Sequence, residues 1–197
     1  MTKIKAVPTF YKGIQFRSRL ESTWAAFFDL MQWDWRYEPF DLIGWTPDFE
    51  IQTSKGNRRL LVEVKPESLQ NYNIDNIELT PYKKVIKHVD DFNILLLGTG
   101  LFSKDDYTCL GILLETKLKY TDKYRICIDN KNPKYNADIA AIKEQDEIYG
   151  ISPLYGFWCD LIKDKICHKA FIDYKTHTDV KSLFNEAINN TKHFYHN

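Results

Sequence analysis

An excess of charge of either sign is missing from this 197-residue chain: Lys and Arg total 27, Asp and Glu total 27, and the formal net charge is zero. A general electrostatic pull toward nucleic acid is therefore excluded, and any such binding must come from a local basic patch. Long hydrophobic runs are missing too. Apolar stretches such as Ile94-Leu95-Leu96-Leu97 and Ile112-Leu113-Leu114 are far too short to cross a bilayer. No apolar signal-peptide core follows Met1-Thr-Lys-Ile-Lys5, so no membrane association is expected. Cysteine is sparse, and Cys109, Cys127, Cys159 and Cys167 form no C-x-x-C pair. Reduced thiols in a cytoplasmic protein are the expectation. Internal repeats and low-complexity tracts are also lacking.

What the chain does have is apolar and aromatic residues, at 44% and 15%. That suits one medium domain, or one domain with an appended element. Over residues 18–32, Leu20, Trp24, Phe27, Phe28 and Met31 recur at spacings of three and four, predicting an amphipathic helix. Ser18 is a good N-cap with Glu21 three positions on. Extended stretches are expected over 35–38 and 45–52, then a turn containing Gly56-Asn57, then a strand over 58–65 closed by Pro66. A second helix is expected over 79–89, capped by Thr80 with Pro81 in its first turn and Tyr82, Val85, Ile86 and Val89 on one face. Strands follow over 94–97 and 108–115. The order predicts an α/β fold with a mixed central sheet flanked by helices.

Beyond residue 118 the pattern weakens. Residues 117–135 read as a loop or irregular insert, 137–148 as a helix, and 156–162 with 166–172 as a hairpin. A final helix puts Val180, Leu183, Phe184, Ala187 and Ile188 on one face, capped by Thr178. The expected division is a core over 1–118 and a C-terminal α+β extension over 119–197 packed on it.

Chemistry concentrates in one strand. Side chains alternate between faces, so in Leu61-Val62-Glu63-Val64-Lys65 the valines point one way and Leu61, Glu63 and Lys65 the other. Charges inside an apolar strand are costly unless they pair or bind something. A hairpin would bring Asp48, just after Pro47, beside Glu63. Two carboxylates and a lysine could then converge, a set that suits phosphodiester hydrolysis. Mg²⁺ takes oxygen ligands from one or two carboxylates, water and phosphate, polarises the phosphate and lowers the pKa of bound water. A lysine can orient the attacking water or offset transition-state charge. The competing account is a Glu63–Lys65 ion pair on a solvated face, with Asp48 as a turn residue.

Phe16-Arg-Ser-Arg-Leu-Glu21, Trp24-Ala-Ala-Phe-Phe28, Tyr37-Glu-Pro39, Pro47-Asp-Phe49 and Val62-Glu-Val-Lys-Pro66 together resemble the PD-(D/E)XK nuclease superfamily. The likeness is greatest to small bacterial and phage proteins with a core similar to the endonuclease subunit of Tn7-like transposons and to Holliday-junction resolvases. It covers about residues 11–98. The resemblance implies a restriction-endonuclease-like αβββαβ core, dependence on Mg²⁺ or Mn²⁺, and cleavage of DNA. Asp48 and Glu63 would be metal ligands with the Val64 carbonyl as a third, and Lys65 the catalytic lysine. Glu21 would match the acidic residue of the first helix, although a capping box with Ser18 explains it as well. Glu38 is a further candidate acid, against an exposed charge before Pro39.

Among the basic residues, Arg17 and Arg19 are the expected nucleic-acid contacts because they stand close to Glu21. Lys12, Arg58, Arg59, Lys83, Lys84 and Lys87 are left open between phosphate contact and solvated charge. Tyr82 and Lys83 sit where nuclease cores often meet substrate or water, but Tyr82 fits a helix interface better. Cys159, Cys167, His168 and His177 have no standard zinc spacing. The tryptophans read mainly as core, with Trp33 or Trp45 able to stack on an unpaired base. DNA endonuclease is the leading function; an exonuclease or RNA-acting nuclease, and a silent nucleic-acid-binding module, are the alternatives. No target-reading domain stands out, and neutral charge suggests a homodimer or protein partner for useful DNA affinity.

Overall fold

The computed structural model describes residues 6–52, 59–72, 81–104, 107–116, 135–145, 148–153, 160–161 and 179–192. Its centre is an eight-stranded mixed sheet ordered β10-β9-β8-β7-β6-β5-β4-β3. The strands are β3 (Trp35–Tyr37), β4 (Phe49–Ile51), β5 (Leu60–Val64), β6 (Asn93–Lys104), β7 (Tyr107–Thr116), β8 (Tyr135–Gln145), β9 (Ile148–Pro153) and β10 (Asp160–Leu161). Among the described residues only β5 and β6 run parallel; every other neighbouring pair is antiparallel. Ahead of the sheet, β1 (Thr9–Tyr11) and β2 (Ile14–Phe16) form a hairpin whose register pairs Tyr11 with Ile14. Its two turn residues, Lys12 and Gly13, both have positive φ (46° and 80°), as a two-residue turn that follows strand twist requires. The sequence reading has no strand here, although Lys12-Gly13 is a usable turn signal.

The helix α1 (Arg19–Leu30) forms as its apolar spacing predicts, with the Ser18 hydroxyl accepting the Glu21 N–H at 3.2 Å as N-cap. The last helix, α2 (Asp179–Asn190), also forms where expected, and Val180, Phe184 and Ala187 are buried. Both helices cover one face of the sheet: Trp24, Phe27, Phe28, Phe184 and Ala187 share a core with Phe49, Ile51, Val62, Val64, Leu95 and Leu97. The opposite face packs Leu61, Ile94, Leu96, Ile112 and Leu114 against Trp45, Tyr82, Val85 and Val89. Strands with both faces covered read as continuous apolar runs, which is why Ile94–Leu97 is unbroken.

Three expectations need correction. The helix over 79–89 is instead a short 3-10 helix, Lys83–His88. Burial of Tyr82, Val85, His88 and Val89 fits either period, and the hydrogen bonds decide for three residues per turn rather than 3.6. The i→i+3 bonds Val85 N–H to Tyr82 (3.0 Å) and Val89 N–H to Ile86 (3.2 Å) follow the same period. Second, of the segment expected as helix over 137–148, residues 137–145 lie in β8 and Ile148 begins β9. Its small residues suit either state, and the edge of β7 decides: Ala137, Ile139 and Ala141 face one core and Ala140 and Ile142 the other. Third, β6 continues past Leu97 to Lys104 through Gly98 and Gly100, with its register to β7 shifting between Leu97 and Phe102.

The sheet runs on across residue 118, since β8 pairs with β7, while α2 lies against α1 through Trp24–Phe184 (4.8 Å between ring centroids) and a 3.0 Å Thr23–Thr191 hydroxyl bond. Of the hairpin expected over 156–172, Asp160 and Leu161 pair with β9, and the rest lies outside the described residues. The same holds for the Gly56-Asn57 turn, Arg58, Thr80, residues 117–134, Thr178, and the Cys159, Cys167, His168 and His177 group. Among the described residues, no helix is long and apolar enough to cross a membrane.

Candidate active site

The site forms where β4 and β5 pair. Phe49 stands opposite Val62, and just before that pair the Asp48 N–H donates to the Val62 carbonyl at 2.9 Å. The same register lets Asp48 Oδ2 accept the Val64 N–H at 2.7 Å. Asp48 is thus fixed to the main chain of the strand that carries Glu63, so the antiparallel pairing expected from sequence is present. Glu63 is completely buried, between Val62 and Val64, which belong to the helix-covered core. The Glu63 side chain points the other way, where its Oε2 accepts the Trp45 indole N–H at 2.6 Å.

Lysines complete the ring around Glu63. Lys65 Nζ pairs with Glu63 Oε1 and also donates to the Val64 carbonyl at 3.2 Å. From the 3-10 helix, Lys84 Nζ reaches the same Oε1 at 3.0 Å. The Lys65 main chain is anchored by its N–H to the Leu97 carbonyl at 2.9 Å, which the Tyr82 hydroxyl also bonds at 2.9 Å. Tyr82 therefore packs and anchors, as its position in the helix interface suggested.

Glu21 belongs to the same constellation. Its Oε1 accepts from the Ser18 hydroxyl (2.8 Å), and its Oε2 accepts from the Tyr37 hydroxyl (2.7 Å) and the Arg17 N–H (3.2 Å). The carboxylate thus reaches the backbone one residue ahead of the N-cap, a variant of the expected capping box. It also faces Asp48 through Arg17, whose guanidinium pairs with Asp48, lies 3.0 Å from Glu38 and 3.8 Å from Glu21. Glu38, which has a strained φ of 41°, is held by its N–H to the Asp48 carbonyl at 3.0 Å. Arg19 is exposed and lines an adjoining cleft of about 590 Å³ together with Ser18, Glu21, Val64, Lys65 and Thr99.

Electrostatics mark Asp48. Burial pushes its pKa up to about 7, and the Glu63 charge adds to this; the Val64 N–H and Lys65 oppose it. Burial works against the charge on Arg17, but Asp48, Glu21 and Glu38 overcome it and hold the guanidinium above its ordinary pKa. Burial, and then the bond to Glu21, raise the Tyr37 phenol well above its usual range.

Three other basic residues are engaged elsewhere. Lys12 pairs with Asp29 at 2.8 Å, and Arg36 and Arg59 both pair with the buried Glu50, Arg59 also lying 4.9 Å over the Phe40 ring. Trp33 is buried in the aromatic cluster, stacked at 5.7 Å on Phe28. The sequence reading missed Trp45 and Tyr37 as partners of the acids. A detectable signal for Trp45 was Gly44, whose φ of 75° closes the Leu42–Trp45 turn that aims the indole.

Among the described residues, no three or more His, Cys, Asp or Glu side chains are grouped to hold a metal ion. The donors at hand are two carboxylates and a carbonyl, from Asp48, Glu63 and Val64. All are oxygens, and mutual repulsion of the two buried acids already disfavours their shared charge, so they fit a hard divalent cation in kind. Compared with known families, curated proteins and solved structures, the chain matches none.

Proposed function

We propose that this chain is a metal-dependent DNA endonuclease with a PD-(D/E)XK centre on a restriction-endonuclease-like core. One observation carries the reading: the buried Asp48 is tied to the main chain of the strand whose next outward side chains are Glu63 and Lys65. Such an arrangement is expensive to fold for structure alone, because each buried charge must be compensated. The order α1, β3, β4, β5, 3-10 helix, β6, antiparallel to β5 and parallel from β5 to β6, further supports a core of this type.

In this reading Asp48, Glu63 and the Val64 carbonyl hold Mg²⁺ or Mn²⁺, which when bound supplies Lewis acidity toward the phosphate and a more acidic water. Lys65 keeps its ammonium beside Glu63 and the Val64 carbonyl, where it orients the water that attacks phosphorus and offsets charge on the phosphoryl oxygens. Glu21 takes a proton from that water or orients it, while Ser18 and Tyr37 fix its two oxygens. Arg17 and Arg19 grip flanking phosphates. DNA is the proposed substrate, with a second copy or a partner protein supplying further affinity.

The test is incubation of the protein with plasmid, linear and single-stranded DNA and with RNA, in Mg²⁺ or Mn²⁺. Nicked or linearised plasmid supports the endonuclease, and end-dependent loss of linear DNA points to an exonuclease instead. Cleavage of RNA alone moves the substrate, and no cleavage at all leaves the silent binding module. Cutting that survives Asp48→Ala or Lys65→Met would remove the site assignment.

A further inference from the structure

Arg17 is the meeting point of three acids at the site. Its guanidinium pairs with Asp48 and lies beside Glu38 and Glu21. The partners differ sharply in freedom. The Asp48 side chain is 4% exposed, with Oδ2 bonded to the Val64 N–H, so Oδ1 is its oxygen not committed to the main chain. That oxygen is the one Arg17 takes. The Arg17 side chain is 54% exposed, so it can leave for solvent at small cost. Its backbone stays in place meanwhile, because the Arg17 N–H is held by Glu21 (3.2 Å) and Tyr37 (3.1 Å).

We propose that Arg17 is a resident counter-cation which a divalent metal ion must displace from Asp48, and that the released guanidinium becomes the phosphate clamp at the mouth of the site. The inference rests on the metal-centre reading above and adds a coupling to it. Without metal, Arg17 offsets the charge that would otherwise face Asp48 across the buried pair. With metal on Oδ1, two cations would crowd one carboxylate, and the more exposed one moves. The arginine fork is then free and matches a phosphate in two-point geometry. Metal binding thus strengthens DNA binding through one side chain, and by linkage DNA strengthens metal binding equally.

The test measures Mn²⁺ binding by calorimetry, without DNA, for wild type, Arg17→Gln, Arg19→Gln and Asp48→Asn. Arg17→Gln should bind Mn²⁺ about tenfold more tightly, the size expected for removing one partly screened competing charge. Arg19→Gln, an equal change of net charge two residues away, should match wild type. Equal or weaker Mn²⁺ binding in Arg17→Gln, or an equal gain in Arg19→Gln, overturns the displacement. Failure of wild type and Arg17→Gln alike to bind Mn²⁺, or undiminished binding in Asp48→Asn, would instead remove the metal centre itself. A second measurement tests the clamp, using a labelled duplex oligonucleotide and Ca²⁺ in place of EDTA. Ca²⁺ should strengthen duplex binding to wild type and do so several-fold less for Arg17→Gln. An equal Ca²⁺ effect in both proteins overturns the clamp.

Discussion

Trp45 donates its indole N–H to Glu63 Oε2 across 2.6 Å, and both side chains are buried. The bond satisfies the one Glu63 oxygen that neither Lys65 nor Lys84 touches. Trp45 is thus a positioning residue, aimed by the Leu42–Trp45 turn and packed against the His88 ring at 5.4 Å. Trp45→Phe keeps most of the apolar contact and removes the donor. Losing a bond to a buried charge should cost about 2 kcal/mol, read as a lower denaturant midpoint. Mn²⁺ affinity should fall with it, whereas Trp45→Phe with unchanged stability would show that the indole N–H is dispensable.

The raised pKa of Asp48 gives the metal-free protein a specific pH dependence. A folded-state value of about 7 against an ordinary 3.8 means that folding favours the protonated acid. The contribution to stability is therefore fully present below about pH 4 and is lost as pH rises through 7. The full span is on the order of a few kcal/mol, since each unit is worth about 1.4 kcal/mol. Asp48→Asn should flatten this part of the profile, so the difference between wild type and variant isolates the group from His88, whose pKa burial lowers. Mn²⁺ should raise the melting temperature more at pH 8 than at pH 5, because protons and metal compete for one carboxylate. A wild-type profile parallel to that of Asp48→Asn from pH 4 to 8 would refute the assignment.

The legible parts of this chain are those where one local pattern has one structural meaning. Leu61–Lys65 alternates, so the outward Glu63 and Lys65 could be read directly, and α1 repeats at helical spacing behind its Ser18 cap. Asp48 was legible only through pairing, by supposing a hairpin. The 137–148 segment misled because Ala, Ile, Lys and Glu satisfy a helix as readily as a strand buried on both faces. Tyr82–Val89 misled for a subtler reason: periods of 3 and 3.6 differ little over two turns, and Tyr82 is pinned by the Leu97 carbonyl. The Arg17–Asp48 and Trp45–Glu63 contacts join residues 31 and 18 apart, and no local spacing encodes them.

Gly98 supports the site from behind. A Cβ there would stand 2.2 Å from the Glu67 carbonyl oxygen, which is main chain and cannot swing aside. The Gly98 carbonyl meanwhile accepts the Trp24 indole N–H at 2.9 Å, and Thr99 N–H bonds Glu67 at 2.9 Å. Gly98→Ala must push the 65–67 segment outward and should cost about 3 kcal/mol, as overpacking does. Lys65 would move with it, so the proposed nuclease activity should fall even at temperatures where the variant is folded. Gly13→Ala is the control: its φ of 80° is strained but its surroundings are open, so about 1 kcal/mol is expected and no loss of cleavage.

The packing of α2 on α1 makes the last prediction. Phe184 is buried 4.8 Å from Trp24 and 5.3 Å from Phe27, and Thr191 shares a buried hydroxyl bond with Thr23. Phe184→Ala removes an aromatic ring from a closed cluster, which should cost about 3–5 kcal/mol. Thr191→Val keeps the volume but removes a hydroxyl shared with Thr23 and with the Ala187 and Ile188 carbonyls (3.1 Å each), and should cost about 1–2 kcal/mol. Ile188 of α2 lines the cleft beside Glu21 and Lys65, so the two variants should also differ in the proposed nuclease activity: Phe184→Ala loses that wall, and Thr191→Val keeps it. Lys181 is exposed on α2, and trypsin should cut there faster in Phe184→Ala as the helix detaches. Wild-type melting and wild-type proteolysis in Phe184→Ala would mean that α2 does not close this side of the core in solution.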